Sequence, residues 1–122
     1  PSLNTNRPGD ARDTTSPRAM AGSLERVLTG DVLSPPSRET LTRWLVETET
    51  GRARLRAELP PGWRAGDKTG TGKRGACNDV AILWPPSGAP WVVAAYLSDG
   101  RAKLGRLEAA HAEIGSLVSA SG

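Results

Sequence analysis

The run Lys68-Thr69-Gly70-Thr71-Gly72 concentrates more chemical capability than any other stretch of this 122-residue chain. It offers a cation, two hydroxyls and two positions with no side chain. The lysine brings positive potential, the threonines donate and accept hydrogen bonds, and the glycines leave the main chain open to close approach. If the run lies on the edge of a sheet, its unpaired amide and carbonyl groups form a rail along which an extended ligand can lie. Two other reactive side chains attract less chemistry. Cys77 is the one cysteine and His111 the one histidine, so no disulfide closes within the chain, and neither a metal site of common ligand type nor a cofactor is expected. With no histidine motif near it, Cys77 is expected to be a small, half-buried strand residue rather than a reactive thiol. His111 falls in an apolar stripe, so packing is expected of it rather than general-base duty.

The elements that position these residues follow from local signals. Residues 1–16 are rich in Asn, Pro, Gly, Asp and Thr, with little apolar content, and read as an irregular surface loop. Ser16-Pro17 opens a helix, because the hydroxyl accepts an orphan amide and proline suits the first turn. Met20, Leu24, Val27 and Leu28 give that helix one apolar face, and Gly30 ends it. Ser34-Pro35 repeats the start signal, with Leu41, Trp44 and Leu45 as the buried stripe of a second helix. A shorter helix through Leu55 and Leu59 is stopped by Pro60-Pro61-Gly62.

After Trp63 the pattern changes. A glycine-rich strand precedes two near-continuous apolar runs, Val80–Trp84 and Trp91–Leu97, joined by Pro85–Pro90 as a hairpin. Such strands imply a sheet covered on both faces. A final helix with Leu104, Leu107, Ala110, His111, Ile114, Leu117 and Val118 on one side covers only one of them. The expectation is a single partial domain over 1–122: a loop (1–16), a helical segment (17–62), antiparallel strands (63–98) and a C-terminal helix (101–119).

Bulk properties exclude several functions. No window approaches the ~18 apolar residues of a membrane helix. The formal charge is +3, but basic and acidic residues are interspersed, and Trp44, Trp63, Trp84, Trp91 and Tyr96 mostly sit in apolar runs. Neither nucleic acid nor a membrane is expected as a partner.

Several stretches together resemble class A serine β-lactamases. Pro1-Ser2-Leu3-Asn4 and Arg7-Pro8-Gly9-Asp10-Ala11-Arg12-Asp13-Thr14-Thr15-Ser16-Pro17-Arg18-Ala19-Met20-Ala21 are similar to the family's omega loop and following helix. Lys68-Thr69-Gly70 matches its Lys-Thr-Gly signature. Asn78-Asp79-Val80-Ala81 and Trp84-Pro85-Pro86 carry the likeness on toward the last helix. The resemblance implies an α/β (α+β) architecture: the C-terminal part of the β-lactamase and penicillin-binding-protein transpeptidase-like fold, with the last helix packed on three antiparallel strands.

The resemblance also implies roles. The backbone N–H of Thr71 would stabilise the oxyanion of an acyl-serine reaction. Lys68 would add positive potential, and Thr69, Gly70 and Thr71 would line the substrate, with both hydroxyls on its carboxylate. Arg54 stands where some members keep an arginine that supports carboxylate binding; other members place one at the position of Cys77, which cannot do that work. Asn4 would hold the hydrolytic water, and Asp13 would pair with an arginine upstream of Pro1, or here with Arg7 or Arg12. The family's Ser-x-x-Lys, Ser-Asp-Asn and glutamate belong to positions before Pro1, so the chain alone is expected to be inactive. The complete protein is expected to be a secreted or periplasmic monomer that hydrolyses small-molecule β-lactams, with the missing N-terminal part as this chain's partner. Two other readings stay open: a penicillin-binding D-Ala-D-Ala peptidase that deacylates slowly, and a non-catalytic module whose edge recruits a peptide strand.

Overall fold

Proline and serine set the first two helices. In the computed structural model, which describes residues 6–122, α1 spans Pro17–Thr29 and α2 spans Pro35–Glu47. Ser16 Oγ accepts from the Ala19 N–H at 3.1 Å and Ser34 Oγ from that of Ser37 at 3.4 Å, each satisfying one amide of a first turn that has no helical partner. Gly30 ends α1 by donating its N–H to the Arg26 carbonyl.

The three strands β1 (Arg64–Thr71), β2 (Cys77–Trp84) and β3 (Trp91–Leu97) form one antiparallel sheet in chain order, which leaves β1 and β3 as edges. Lys68 stands opposite Val80, Thr71 opposite Cys77, and Leu83 opposite Trp91. The glycine-rich strand β1 ends at Thr71, and Arg74 and Gly75 turn through positive φ to start β2. At the other end of β2, residues 85–90 make the hairpin connection to β3.

Both faces of the sheet carry a core. On one, Leu28 of α1 and Leu45 of α2 bury Ile82, with Leu24, Leu41, Trp84 and Val92 around them. On the other, Leu55, Ala81, Leu83 and Ala95 pack with Trp63, Ile114 and Val118 beneath α3 (Leu104–Ser121). The first two helices thus supply the second cover that the apolar strands require.

Three expectations change. The segment through Leu55 and Leu59 is not a helix but a series of turns, in which Arg54 donates to Gly51 and Ala57 to Arg54. Leu55 instead gives its N–H to the Asp79 carboxylate, a partner outside the segment that a continuous helix would forgo. Trp44 is 63% exposed; the α2 residues that meet the sheet are Leu41, Leu45 and Val46. On α3 the packed face centres on His111, Ala112 and Gly115, leaving Leu104 and Leu117 exposed. A Cβ on Gly115 would stand 1.9 Å from the Leu55 carbonyl oxygen, so the helix approaches along its smallest residues rather than its largest.

Candidate functional site

The end of β1 is built from its register. Gly72 donates its N–H across to Ala76 at 2.9 Å. Amides along a strand point alternately to either side, so the N–H of Thr71 faces the open edge, away from β2. Side chains alternate as well. Thr69 and Thr71 lie on the α3 face, while Lys68 and Gly70 lie with Gly66, which abuts Leu45 of α2. Lys68 is exposed, and its Nζ donates to the Thr69 carbonyl at 2.7 Å. The Thr69 hydroxyl donates to that of Thr50 at 2.8 Å.

Arg54 sits beneath this edge, only 3% exposed. Its Nη1 donates to the carbonyls of Gly70 (3.1 Å) and Asn78 (2.7 Å), its Nη2 donates to Thr71 Oγ1 (2.6 Å), and its Nε lies 3.5 Å from a Glu108 carboxylate oxygen of α3. The structure therefore brings Arg54, Gly70 and Thr71 together. The guanidinium faces the underside of the strand, not open solvent, and what it can pass to a ligand passes through the hydroxyl it grips. Lys68 reaches the same strand from the opposite face.

A cleft of about 400 Å³ lies between the end of β1 and the loop before α1, with Gly70, Thr71, Gly72 and Asn78 on one wall and Arg12, Asp13 and Thr14 on the other. The loop is tied down there, since Asn6 Nδ2 donates to the Lys73 carbonyl at 2.6 Å. Arg12 pairs with Asp10, Nη2 to Oδ2 2.6 Å, and that guanidinium holds the Asp10 carboxyl below its ordinary range. Asp13, expected to pair with Arg7 or Arg12, makes no ion pair among the described residues; Asp10, whose carboxylate accepts both the Arg12 backbone N–H and its guanidinium, takes Arg12 instead. The position of Asn4 lies outside the described residues. A larger groove of about 610 Å³ along α2, lined by Pro35, Arg38, Glu39 and Arg64, includes none of the Lys68–Gly72 run.

Sequence reasoning missed the polar layer under β1. Asp67 and Asp79 are buried carboxyls on the α3 face, and Arg56 pairs with Asp67 while donating to the Leu45 and Val46 carbonyls. Burial pushes Asp67 above its ordinary value against the pull of Arg56. Burial, then the neighbouring Asp67, pushes Asp79 up to about 7. The available signal was acids at alternating strand positions whose other members, Cys77, Ala81 and Leu83, are core residues. Cys77 is itself fully buried rather than half-buried, and its Sγ lies 3.9 Å from His111 Nδ1.

The chain is 46% identical over 118 residues to beta-lactamase AER-1 of Aeromonas hydrophila, covering 97% of this chain and 39% of that protein. It is 51% identical over 92 residues to beta-lactamase AST-1 of Nocardia asteroides, covering 75% and 30%. An ancestral class A beta-lactamase structure superposes with a TM-score of 0.92 at 52% identity, over 95% of this chain and 45% of that one. The chain thus spans about two fifths of the length of AER-1. A model of the "Beta-lactamase enzyme family" matches residues 2–121, and with a likeness that runs through loop, strand edge and terminal helix alike, this chain belongs to the beta-lactamase family, among its class A members.

Proposed function

We propose that this chain supplies the oxyanion strand and the carboxylate-binding groups of a serine β-lactamase, whose nucleophile and general base come from residues outside it. The observation that carries this reading is the Thr71 N–H, aimed at an open strand edge beside a cleft, with its side chain anchored from below by Arg54. As a serine oxygen adds to the lactam carbonyl, negative charge develops on the carbonyl oxygen. A preplaced amide stabilises that charge without reorganising, and losing one such donor typically costs about a hundredfold or more in rate. The substrate carboxylate would meet the hydroxyls of Thr69 and Thr71 and the potential of Lys68, with Arg54 polarising the Thr71 hydroxyl it holds. The ring amide C–N bond then breaks, the nitrogen takes a proton, and water positioned with the help of Asn4 releases the acid from the acyl-serine ester. We extend the reading to a secreted or periplasmic protein, as the resemblance to class A β-lactamases implies.

No Ser-x-x-Lys occurs in these 122 residues. Purified chain is therefore expected to leave a chromogenic cephalosporin intact, while the complete gene product turns it over repeatedly. Hydrolysis by the purified chain would end this reading. Covalent trapping of penicillin by the complete protein without turnover would move it to a D-Ala-D-Ala peptidase.

A further inference from the structure

The mechanism above leaves two buried carboxyls unused. Asp67 and Asp79 are 1% and 0% exposed. Asp79 stands opposite Thr69, two positions along β1 from Asp67, so the two side chains are diagonal neighbours on the α3 face. Asp79 Oδ2 accepts the Leu55 N–H at 3.2 Å, but Asp79 Oδ1 and Asp67 Oδ2 are buried without a hydrogen-bond partner. Buried oxygens are seldom left unpaired, and a single proton between the two would satisfy both.

The surrounding charges favour the same count. From the turn segment, Arg56 pairs with Asp67, whereas Arg54 is committed to Gly70, Asn78, Thr71 and Glu108. Cys77 on β2 and Glu108 and His111 on α3 add no further fixed cation, and Lys68 extends from the opposite face. Gly51 packs so closely on Asp67 that a Cβ there would fall 1.6 Å from its Oδ2, which leaves the Asp67 carboxyl no room to withdraw on that side. One cation, in contact with Asp67 alone, set against two buried carboxyls matches a pair that carries one negative charge.

We propose that Asp67 and Asp79 share one proton, and that this proton locks β1 against the turn segment, so that its loss loosens the Lys68–Thr71 edge as a pH-sensitive positioning device. The folded-state value of Asp79, raised from 3.8 to about 7, agrees with this. A carboxyl raised on folding stabilises the native state fully below its unfolded value, and that stabilisation is lost as pH climbs through the folded value. The window therefore runs from about 4 to about 7. Only the catalytic consequence rests on the β-lactamase reading.

The test uses the complete gene product and its Asp79→Asn variant, whose amide N–H can replace the shared proton. Infrared difference spectra between the two at about pH 5 should show a buried protonated-carboxyl C=O band in the wild type, which fades as pH passes about 7. Across the window the wild-type folding constant should fall by up to about tenfold per pH unit relative to Asp79→Asn. Asp79→Asn should also retain kcat on the alkaline side, where the wild type declines. Asp79→Ala, with no donor, should not rescue. Absence of the band, or equal pH slopes in wild type and Asp79→Asn, overturns the proposal. Should Asp79→Asn fail to fold, the band in wild type carrying isotope-labelled aspartate decides alone. Band and slope found in a protein that hydrolyses no β-lactam would sustain the shared proton and sink only the enzymatic reading.

Discussion

Arg54 grips the Thr71 hydroxyl from beneath β1, its Nη2 standing 2.6 Å from Oγ1, while the same side chain caps the carbonyls of Gly70 and Asn78 on two different strands. A positive charge is thereby placed next to the edge without occupying it.

Arg54→Lys should weaken this arrangement, because an ammonium on a flexible stem cannot serve these three acceptors in the fixed geometry of a planar fork. In the complete protein, kcat/KM for a penicillin is expected to fall about 10- to 100-fold, mainly through KM, with a stability loss of about 3 kcal/mol. Thr71→Val, which keeps the backbone N–H and deletes only the hydroxyl, should cost about tenfold. Steady-state kinetics and urea denaturation check both; an unchanged KM in Arg54→Lys would dissociate the guanidinium from substrate binding.

Gly115→Ala tests the contact between α3 and the turn segment. Alanine favours a helix over glycine by about 1 kcal/mol, but here the added Cβ meets a main-chain carbonyl that cannot swing aside. A net loss of about 2–3 kcal/mol is expected. A thermal midpoint equal to or above the wild type would show that α3 shifts freely.

Cys77 should resist a disulfide reagent at neutral pH. Burial pushes its thiol up, with Glu108 and Asp79 adding to that and Arg54 opposing it, so little thiolate forms and little reagent can reach it. Reaction should appear only as denaturant unfolds the chain. Rapid labelling of the native protein would mean that β2 opens locally.

His111 joins α3 to β3. Its Nδ1 lies 2.9 Å from the Leu107 carbonyl oxygen and its Nε2 3.2 Å from that of Ala95. His111→Ala removes both contacts and leaves a void, for an expected cost of about 2–4 kcal/mol. His111→Gln should recover part of that loss, as read by chemical denaturation.

Helix starts and the hairpin were legible because their causes are local. Ser16-Pro17, Ser34-Pro35 and the apolar runs on either side of residues 85–90 each carry their instruction within a few residues. The stretch around Leu55 was not legible, because its conformation answers to Asp79, 24 residues away. Periodicity also favoured Leu117 and Trp44 for the interior over Ala112 and Gly115, since hydropathy ranks side chains by size while close approach selects the small ones. The Lys68–Gly72 edge could be located from its residues, but the buried side of Arg54 could not: a guanidinium reads the same in a sequence whether it serves a ligand or a strand.

The connection at residues 85–90 lies at the opposite end of β2 from Thr71, roughly 25 Å away at about 3.3 Å per residue. Its Gly88 adopts φ +96 with open space around it, and residues 86–90 are exposed. Epitope tags, fluorophores or grafted peptides placed there would hang clear of the cleft. That tip is the natural handle for immobilising the protein on a surface while the Lys68–Gly72 edge stays free.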